Sequence, residues 1–310
     1  MLYIFYDSSY VLADRILKEN KNPKVILYDT KELSFYKNIF CRILSKILYL
    51  FGKANKYNFS KKMTFLLKEI KPTDSILLWD ISSPTLILSL CNLTKCMSIN
   101  VWLWNQISYY NFKEEEIQFL KKYVQFYTFD KNDSVNFGIS YKNQVTYNIS
   151  AYHYGKCEKN SDIYFIGNDK GRYKLVKEIF DYCNNNSLNP DFTVIKDNSS
   201  ELEDSPLYGK TISFEDNISH IASTKCVLEI VMDKQTGSTL RALEALIAGK
   251  KLITNNAAIK DEDFYDKNRI LVLNGTNLNK IKDFLNIPIK TSLTEFKKYL
   301  MSEWIVDFIR

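Results

Sequence analysis

One stretch in the second half of the sequence has the residue types that bind an anion. It reads 226-CVLEIVMDKQTGSTLRALEALIAGKKLITNN-256 and joins two predicted strands through a predicted helix. Gly237 lets the backbone approach a ligand closely, and Ser238 or Thr239 is a suitable N-cap for the helix. The N–H groups and the dipole of a helix N-terminus attract negative charge. The stretch therefore fits phosphate binding, while helix capping alone explains the serine and the threonine equally well.

Two charged residues follow in the first two turns of the same predicted helix. Arg241 and Glu244 are three positions apart, so their side chains are neighbours on the helix surface. In one interpretation Arg241 faces a diphosphate and Glu244 accepts hydrogen bonds from ribose hydroxyl groups. In the other, the two form a surface ion pair that contributes about 0.2–0.5 kcal/mol to helix stability. The spacing by itself leaves both interpretations open.

The elements that position these residues alternate between strand and helix, which predicts parallel sheets covered by helices on both faces. The predicted strands span 2–6, 24–29, 75–79, 99–105, 125–130, 162–167, 191–197, 208–214, 226–232, 251–255 and 270–273. The predicted helices span 11–19, 34–51, 63–70, 85–93, 112–123, 174–185, 216–224, 239–249 and 294–309. Ligands of such sheets bind at the carboxyl ends of the strands.

The alternation stops between residues 145 and 161, where the sequence VTYNISAYHYGKCEKNS is polar, mixed and without a period. We place a domain boundary there. The predicted domains are an N-terminal, acceptor-side Rossmann-like domain at 1–150, a C-terminal Rossmann-like domain at 151–293, and a terminal helix at 294–310 that can pack back on the first domain. The predicted fold class is α/β, with two Rossmann-like domains that face a central cleft.

The basic residues are concentrated in one segment. The chain of 310 residues has a net charge of +6, whereas residues 31–62 alone contain eight Lys or Arg and one acidic residue. This local excess indicates an anionic surface or ligand, and no nucleic-acid motif accompanies it. Within the segment, the predicted helix 34–51 has a long apolar stripe beside Lys37, Arg42 and Lys46. It either lies on an anionic membrane leaflet or packs as a core helix with a solvated basic face.

The composition argues against several classes of protein. The six cysteines form no C-x-x-C pair and there are two histidines, so we predict a reducing compartment, no disulfide framework and no metal site. The acidic triplet at 261–263 is interpreted as a polar turn rather than a metal-binding D-x-D motif. No G-x-G-x-x-G follows the first predicted strand, which argues against a dinucleotide-dependent dehydrogenase. The first residues do not resemble a signal peptide and no apolar run is long enough to span a membrane, so a cytoplasmic location is predicted.

The string from Lys234 to Asn256 resembles the C-terminal half of bacterial GT-B glycosyltransferases, the enzymes of lipopolysaccharide core, O-antigen and capsule assembly. The resemblance implies that this region binds a sugar nucleotide, with the glycine loop at the diphosphate and Glu244 at the ribose. Two further segments, 162-DIYFIGNDKGRYKLV-176 and 123-YVQFYTFDKNDSVNFGI-139, resemble the first strand and loop of the C-terminal domain and the end of the N-terminal domain of the same enzymes. The donor-binding residues implied by the resemblance are Gly167, Lys170, Arg172, Gln235, Gly237, Ser238, Thr239, Arg241 and Glu244.

The sequence departs from one pattern of this family. Many retaining GT-B enzymes carry two glutamates eight positions apart around the donor loop, whereas Glu229 and Glu244 are fifteen apart. Inversion and retention of the anomeric configuration therefore both stay open at the level of sequence.

The resemblance implies a metal-independent glycosyltransferase without a cofactor, which moves a sugar from a nucleotide-activated donor to a lipid-linked saccharide. Glycosyl transfer passes through an oxocarbenium-like transition state, and the leaving phosphate needs fixed positive charge. An inverting enzyme also needs a carboxylate base. Asp7 and Asp80 at predicted strand ends are candidates for that base, with Asp130 as a third. Aspartates at such positions also cap the turn that follows.

Two other classes of function are alternatives to an enzyme. A two-lobed α/β chain could bind a small ligand by hinge closure without chemistry. A degenerate transferase could instead be a non-catalytic member of a polysaccharide assembly complex. Turnover of a sugar nucleotide by the isolated chain would exclude both. The membrane interpretation of helix 34–51 adds a peripheral position on the inner face of the inner membrane.

Overall fold

The computed structural model describes residues 1–31, 39–53, 59–110, 112–151, 160–232, 237–289 and 294–309. The chain divides into two compact units. Unit 1 consists of Met1–Tyr147 together with Lys298–Arg310, and unit 2 consists of Asn148–Lys297. The chain thus passes from unit 1 to unit 2 between Tyr147 and Asn148 and returns to unit 1 at Lys298.

Unit 1 is built on a parallel sheet of six strands. The strands are β1 (Leu2–Tyr6), β2 (Val25–Asp29), β3 (Ser75–Trp79), β4 (Ser98–Leu103), β5 (Gln125–Thr128) and β6 (Ser140–Tyr141). Their order in the sheet is β2-β1-β3-β4-β5-β6. Every residue of β3 is buried, as expected for an interior strand of a parallel sheet with helices on both faces.

The helices of the first part of unit 1 are α1 (Val11–Lys18), α2 (Ile39–Leu50), α3 (Lys61–Glu69), α4 (Pro84–Leu93), α5 (Glu114–Leu120) and α6 (Lys131–Phe137). Helix α6 and strand β6 were not predicted. The predicted strand 125–130 was too long, because Asp130 is the N-cap of α6: its side chain accepts hydrogen bonds from the N–H groups of Asn132 and Asp133 at 2.9 and 3.1 Å. Gly138, with φ of 57°, ends the helix.

Helix α2 occupies part of the predicted helix 34–51, whose residues 34–38 lie outside the described residues. Its apolar residues divide between two faces. Tyr49 packs against Phe119 of α5 with ring centroids 5.6 Å apart. Ile43, Ile47 and Leu50 are instead 53%, 47% and 81% exposed. A core helix would bury this stripe, so that interpretation does not account for it. In the described part of the chain, no helix has both the length and the apolar composition needed to cross a membrane.

The last residues of the chain complete the core of unit 1. Trp304 packs against Trp79 and Trp102 with centroids 5.7 and 4.9 Å apart, and its indole N–H donates to the carbonyl of Asn143 at 2.7 Å. The ammonium group of Lys142 lies 4.8 Å from the centre of the Trp304 ring, which is a cation–π contact. The segment is therefore fixed to unit 1 by buried aromatic surface.

Unit 2 contains a second parallel sheet of six strands. They are β7 (Ser161–Asn168), β8 (Pro190–Ile195), β9 (Tyr208–Gly209), β10 (Thr224–Glu229), β11 (Lys251–Thr254) and β12 (Ile270–Val272), in the order β12-β11-β10-β7-β8-β9. The helices are α7 (Tyr173–Asn185), α8 (Phe214–Ser223), α9 (Leu240–Ile247) and α10 (Ile281–Asn286). The described residues thus confirm the predicted α/β class, with one parallel sheet in each unit.

Two predicted elements differ in the structure. The predicted strand 208–214 is paired at Tyr208–Gly209 alone, because α8 begins at Phe214, where the Ser213 hydroxyl accepts the N–H of Asp216 at 3.0 Å. The predicted helix 294–309 is broken into a 3-10 turn at Thr294–Tyr299, helix α11 (Met301–Trp304) and a 3-10 turn at Ile305–Phe308. The break falls at Leu300, whose extended backbone forms an isolated bridge with Thr146.

The Gly-Lys-Lys that follows α9 has a structural explanation. Gly249 adopts a φ of 72° and ends the helix. The ammonium group of Lys250 donates to the carbonyl of Ala222 at 2.5 Å, near the end of α8, and that of Lys251 donates to the carbonyl of Phe284 in α10. These lysines donate hydrogen bonds to carbonyl groups near helix C-termini, where their positive charge interacts favourably with the helix dipoles.

Replacing Trp304 by alanine is expected to lower the free energy of unfolding of unit 1 by about 3–5 kcal/mol, because it removes a fully buried indole. The measurement is urea unfolding followed by tryptophan fluorescence. All four tryptophans of the chain (Trp79, Trp102, Trp104, Trp304) lie in unit 1, so the signal reports on this unit alone. Val306→Ala is the control, since Val306 is 51% exposed on the same segment and should change stability by less than about 0.5 kcal/mol. Equal effects of the two substitutions would contradict the role assigned to the segment.

Candidate functional site

The candidate donor site lies at the carboxyl edge of the unit 2 sheet. Because all six strands are parallel, the residues that follow them meet at one edge. The edge carries polar side chains after almost every strand, namely Asp169, Asp197, Glu229, Asn255, Asn256 and Asn277. The helices that begin there include α7, α8 and α9. Polar residues at this edge can bind an anion at a helix N-terminus, or they can stabilise the edge by hydrogen bonds within the protein. The contacts of each residue show which role it has.

Thr239 is the N-cap of α9, and its hydroxyl group both accepts and donates a hydrogen bond. Its hydroxyl oxygen accepts the N–H of Ala242 at 3.3 Å, and its O–H donates to the carboxylate of Glu229. The helix-capping interpretation of the sequence is therefore correct for Thr239. It is not the explanation for Ser238, whose hydroxyl oxygen is buried without a hydrogen-bond partner among the described residues. Ser238 is 6% exposed and follows Gly237, which is also buried.

Glu229 is a functional candidate that the sequence analysis considered only for its spacing to Glu244. It ends β10, is 3% exposed, and accepts hydrogen bonds from the hydroxyl groups of Thr239 and Thr254. Burial raises the pKa of Glu229, while the two threonine hydrogen bonds act in the opposite direction. The carboxylate thus connects the ends of β10 and β11 to the first turn of α9. An acidic residue inside the apolar strand CVLEIVM was the signal in the sequence.

Arg241 and Glu244 form an ion pair, with Nη1 and Oε2 3.2 Å apart. The pair is not on the surface, as one sequence interpretation had it, because Glu244 is 5% exposed. The guanidinium of Arg241 also donates to the side chain of Asn217 at 2.8 Å and to the carbonyl of Ile166 at 3.4 Å. It lies about 6.0 Å from the centre of the Tyr164 ring. These contacts fix the guanidinium between α9, α8 and β7.

The loop between β7 and α7 contains the other predicted donor residues. The guanidinium of Arg172 donates to three backbone carbonyls, those of Asn168, Asp169 and Ile230, and so joins the ends of β7 and β10. Gly167 makes room for it, since a Cβ atom there would lie 3.0 Å from Nη2 of Arg172. The side-chain hydrogen bonds of Arg172 to backbone carbonyls therefore stabilise the carboxyl edge of the sheet.

The carboxylates of Asp169 and Asp197 bind backbone N–H groups of the loop between β7 and α7 and of the first turn of α7. The side chain of Asp169 is buried, accepts the N–H of Tyr173 at 3.1 Å in the first turn of α7, and accepts the hydroxyl of Tyr208 at 3.1 Å. Lys170 has a positive φ of 46°, is exposed, and donates its backbone N–H to Asp197 at 3.0 Å. A carboxylate already binds the N-terminus of α7, so the N-terminus of α9 is the better anion site of the two.

Three predicted aspartates follow strands of unit 1. Asp130 is buried and is used as a helix cap, and Gln106 donates to its other oxygen at 2.9 Å. Asp7 is partly exposed, accepts the N–H of Ser9 at 2.8 Å within its own turn, and has the ammonium group of Lys31 at 3.9 Å. Asp80 follows β3 and accepts hydrogen bonds from the hydroxyl of Tyr110 and from the N–H of Trp104. Capping therefore accounts for Asp130, whereas Asp80 begins no helix.

Two further predictions concern the loop before α9 and metal binding. Gln235, assigned to donor binding by resemblance, lies outside the described residues. Asp261 of the acidic triplet ends a 3-10 turn at Ala257–Asp261, and the triplet joins no cluster with metal-binding geometry in the described part of the chain.

Comparisons with known proteins identify the fold of the chain. No protein-family model matches the sequence, and no curated protein sequence matches it. Among solved structures, a UDP-forming α,α-trehalose-phosphate synthase from Burkholderia xenovorans is similar, with a TM-score of 0.56 at 10% identity, covering 98% of this chain and 94% of that one. The corresponding synthase from Burkholderia vietnamiensis has a TM-score of 0.51 at 10% identity, with the same coverage of 98% and 94%.

A UDP-GlcNAc 2-epimerase from Methanocaldococcus jannaschii is also similar, with a TM-score of 0.51 at 12% identity, covering 99% of this chain and 98% of that one. The likeness extends over nearly the whole chain in each case, so it includes residues of both units. At such identities it concerns the fold alone. The predicted GT-B fold is thereby confirmed.

Proposed function

We propose that the protein is a glycosyltransferase that moves a sugar from a nucleotide-activated donor to a lipid-linked saccharide. The proposed context is the assembly of lipopolysaccharide or another bacterial cell-envelope polysaccharide. The observation that carries the proposal is the N-terminus of α9 at the carboxyl edge of its sheet, where Ser238, beside Gly237, keeps a buried hydroxyl group without a partner among the residues that the structure describes. A buried hydroxyl of this kind costs about 1–3 kcal/mol in the free protein. A ligand oxygen at this position would remove that cost.

The chemistry of the α9 N-terminus favours a diphosphate as that ligand. Phosphate oxygens accept hydrogen bonds from a serine hydroxyl and from the N–H groups of a helix first turn, and the helix dipole attracts their charge. Gly237 permits the close approach. Arg241, 24% exposed and held by Asn217 and Glu244, adds a fixed cation on the same helix. In this proposal Thr239 and Glu229 hold the helix N-terminus in place without touching the ligand.

The nucleotide is proposed by analogy with the structural neighbours. The names of the two synthases and of the epimerase state UDP and UDP-GlcNAc, so UDP sugars are the first donors to test. Glu244 is proposed to face the ribose beyond its ion pair with Arg241. Gly167, Lys170 and Arg172 are proposed to border the donor, with Arg172 acting through the backbone carbonyls that it binds. Gln235 keeps the donor-binding role that the sequence resemblance implies.

The proposed reaction uses charge already fixed in the protein. As the bond between the sugar and the diphosphate breaks, negative charge develops on the leaving group and is stabilised by the α9 N-terminus and Arg241. No metal or other cofactor is part of the proposed reaction. Asp7 and Asp80 are the proposed candidates for a base that accepts the proton of the acceptor hydroxyl.

The surface of α2 is proposed to bind the membrane that carries the acceptor. Ile43, Ile47, Leu50 and Phe51 form an exposed apolar stripe on one side of the helix and its C-terminal turn. We call this set the α2 stripe. The lysines near it are exposed as well, namely Lys46, Lys53, Lys61 and Lys62. An apolar helix face with adjacent lysines suits the interface of an anionic leaflet. The proposed location is accordingly cytoplasmic, on the inner face of the inner membrane.

The donor site is tested by a thermal-shift screen of UDP, GDP, TDP, ADP, CMP and their common sugars on wild type and Ser238→Ala. UDP or a UDP sugar should stabilise wild type. Ser238→Ala should leave the melting temperature of the free protein equal or higher, since it removes an unpartnered hydroxyl, and should weaken nucleotide binding about tenfold. Glu244→Ala is less informative because it leaves the partly buried guanidinium of Arg241 without its carboxylate.

Ser213→Ala is the matched control for Ser238→Ala. Ser213 caps α8 in the same unit, so this substitution should destabilise the free protein by about 1 kcal/mol and leave nucleotide affinity unchanged. Release of UDP from a bound UDP sugar would then establish turnover. If no nucleotide stabilises wild type, the proposal is wrong and a non-catalytic role in an assembly complex becomes the better explanation.

The membrane surface is tested by co-sedimentation with vesicles of phosphatidylcholine alone and of phosphatidylcholine with phosphatidylglycerol. We expect binding to the anionic vesicles that weakens as salt is raised. Ile47→Asp with Leu50→Asp should lower that binding tenfold or more, since burial of each apolar side chain is worth about 1.5–3 kcal/mol. Met97→Asp, at a residue 79% exposed elsewhere on unit 1, is the control. Equal binding to both vesicle types, or to neither, would refute the proposal.

A further inference from the structure

Asp80 directly follows β3, an interior strand of the unit 1 sheet, and has a strained backbone. Its φ is 57°, in the left-handed region that few side chains adopt. The two other non-glycine residues with positive φ in the described part of the chain, Lys170 and Ser187, lie in exposed turns. Asp80 instead follows a fully buried strand, and its N–H donates to the carbonyl of Trp102 at 2.8 Å. Strain of this kind costs about 1–3 kcal/mol and is concentrated at functional sites.

The loop after β4 holds the Asp80 carboxylate by one oxygen. Oδ1 accepts the N–H of Trp104 at 3.1 Å and the hydroxyl of Tyr110. The Tyr110 oxygen in turn accepts the N–H of Asn105 at 2.9 Å. Since this N–H points at the tyrosine oxygen, the tyrosine proton is directed at Asp80. The orientation of the carboxylate is therefore set by two donors from one loop.

The second carboxylate oxygen is left available. Oδ2 of Asp80 has no hydrogen bond or ion pair within the ranges that the structure describes. Asp130 uses both of its oxygens, one as a helix cap and one with Gln106. Asp7 is partly exposed, and its Oδ1 accepts the N–H of Ser9 within its own turn and lies 3.9 Å from the ammonium group of Lys31. Of the three strand-end aspartates, Asp80 is the one that combines a left-handed backbone with a carboxylate oxygen held by a loop distant in sequence.

The pKa shifts of Asp80 and Tyr110 favour proton transfer to Asp80. Burial raises the pKa of Asp80, and the hydrogen bonds from Tyr110 and Trp104 lower it in part. Burial also raises the pKa of Tyr110, and the negative charge of Asp80 raises it further. Tyr110 therefore remains a protonated donor at neutral pH. A carboxylate with a raised pKa is a stronger base than one in water.

We infer that Tyr110 is a positioning residue that orients Asp80 so that Oδ2 accepts the proton of the attacking acceptor hydroxyl. The inference rests on the proposed glycosyltransferase function. In the step, the hydroxyl O–H bond breaks and its proton binds Oδ2, while the hydroxyl oxygen forms a bond to the anomeric carbon. The bond from that carbon to the diphosphate breaks, and its electron pair leaves with the diphosphate. This single displacement inverts the anomeric configuration.

Two measurements test the inference on the full chain. The first is 13C NMR of aspartate side-chain carboxyls in wild type and Tyr110→Phe, with the Asp80 resonance assigned by Asp80→Asn. The pKa of Asp80 should rise in Tyr110→Phe, because a hydrogen bond that lowers it is lost. Tyr123→Phe, which removes a hydroxyl from a partly exposed ring of the same unit, should leave the titration unchanged.

The second measurement is the pH profile of hydrolysis of UDP-glucose, UDP-galactose and UDP-N-acetylglucosamine, with water as the acceptor. Asp80→Asn should lower the rate about 10²–10⁴-fold. Tyr110→Phe should move the acid limb of kcat/KM to higher pH, in step with the NMR titration. A structural defect would instead lower the rate at all pH values without moving the limb. Circular dichroism, together with tryptophan fluorescence, which reports on unit 1, verifies that each variant is folded.

The outcomes separate this inference from the proposed function. If no nucleotide or nucleotide sugar of the thermal-shift screen binds wild type, the proposed function fails, while the NMR titration still decides whether Tyr110 orients Asp80. If the sugars bind but Asp80 titrates equally in wild type and Tyr110→Phe, the positioning role is refuted. Loss of activity in Asp7→Asn with wild-type activity in Asp80→Asn would assign the base to Asp7 and overturn the inference.

Discussion

The carboxylate of Glu229 is the contact on which the candidate donor site depends. It ends an interior strand of unit 2 and is removed from water, so its oxygens must be satisfied by the protein. The hydroxyl groups of Thr239 and Thr254 do this from two sides. Because Thr239 is also the N-cap of α9, one buried acid fixes the position of the helix N-terminus relative to the sheet. The register of β10 with β11, which pairs Glu229 with Thr254, makes the arrangement possible.

Most cations of unit 2 near the helix ends serve the backbone rather than a ligand. Arg172 binds carbonyls at the ends of β7 and β10, and Lys250 and Lys251 bind carbonyls at helix C-termini. Arg269 is buried and binds the carbonyl of Leu246 in α9. A basic residue in a suggestive motif is thus not by itself evidence of an anion site. Seven buried polar side-chain atoms lack a hydrogen-bond partner among the described residues, and the hydroxyl of Ser238 is the one that lies at a helix N-terminus.

The two units use different means to stabilise their sheets. In unit 2 the polar contacts at strand ends connect neighbouring strands and helices. In unit 1 the last residues of the chain cover aromatic side chains of β3 and β4, with Trp304 between Trp79 and Trp102. Asp80 follows directly after Trp79, so the packing of the aromatic cluster also fixes the strand end where the strained residue lies. The C-terminal segment therefore supports the geometry of the proposed base as well as the core.

The sequence by itself determined the class of the fold and most of its elements. Apolar strands such as SILLW and amphipathic helices such as 174–185 are specified by local periodicity, and their order dictates a parallel sheet in each half. It also indicated the start of α9, because glycine followed by serine and threonine before a helix is a local signal. Where it failed, competing local signals were present. Asp130 began a helix that the strand pattern concealed, and Leu300 paired with distant Thr146 inside a predicted helix.

The tertiary structure alone decided which polar residues are free to act. Arg241 and Glu244 have the same spacing whether they lie on the surface or in the interior, and burial beneath the neighbouring elements settled their pairing. Tyr110 and Asp80 are far apart in sequence, so no pattern could join them until the loop after β4 folded over the end of β3. Hydrogen bonds between strand ends depend on sheet order, which local sequence does not encode. For that reason the sequence located the edge of the sheet where a ligand would bind, while the side chains available there followed only from the fold.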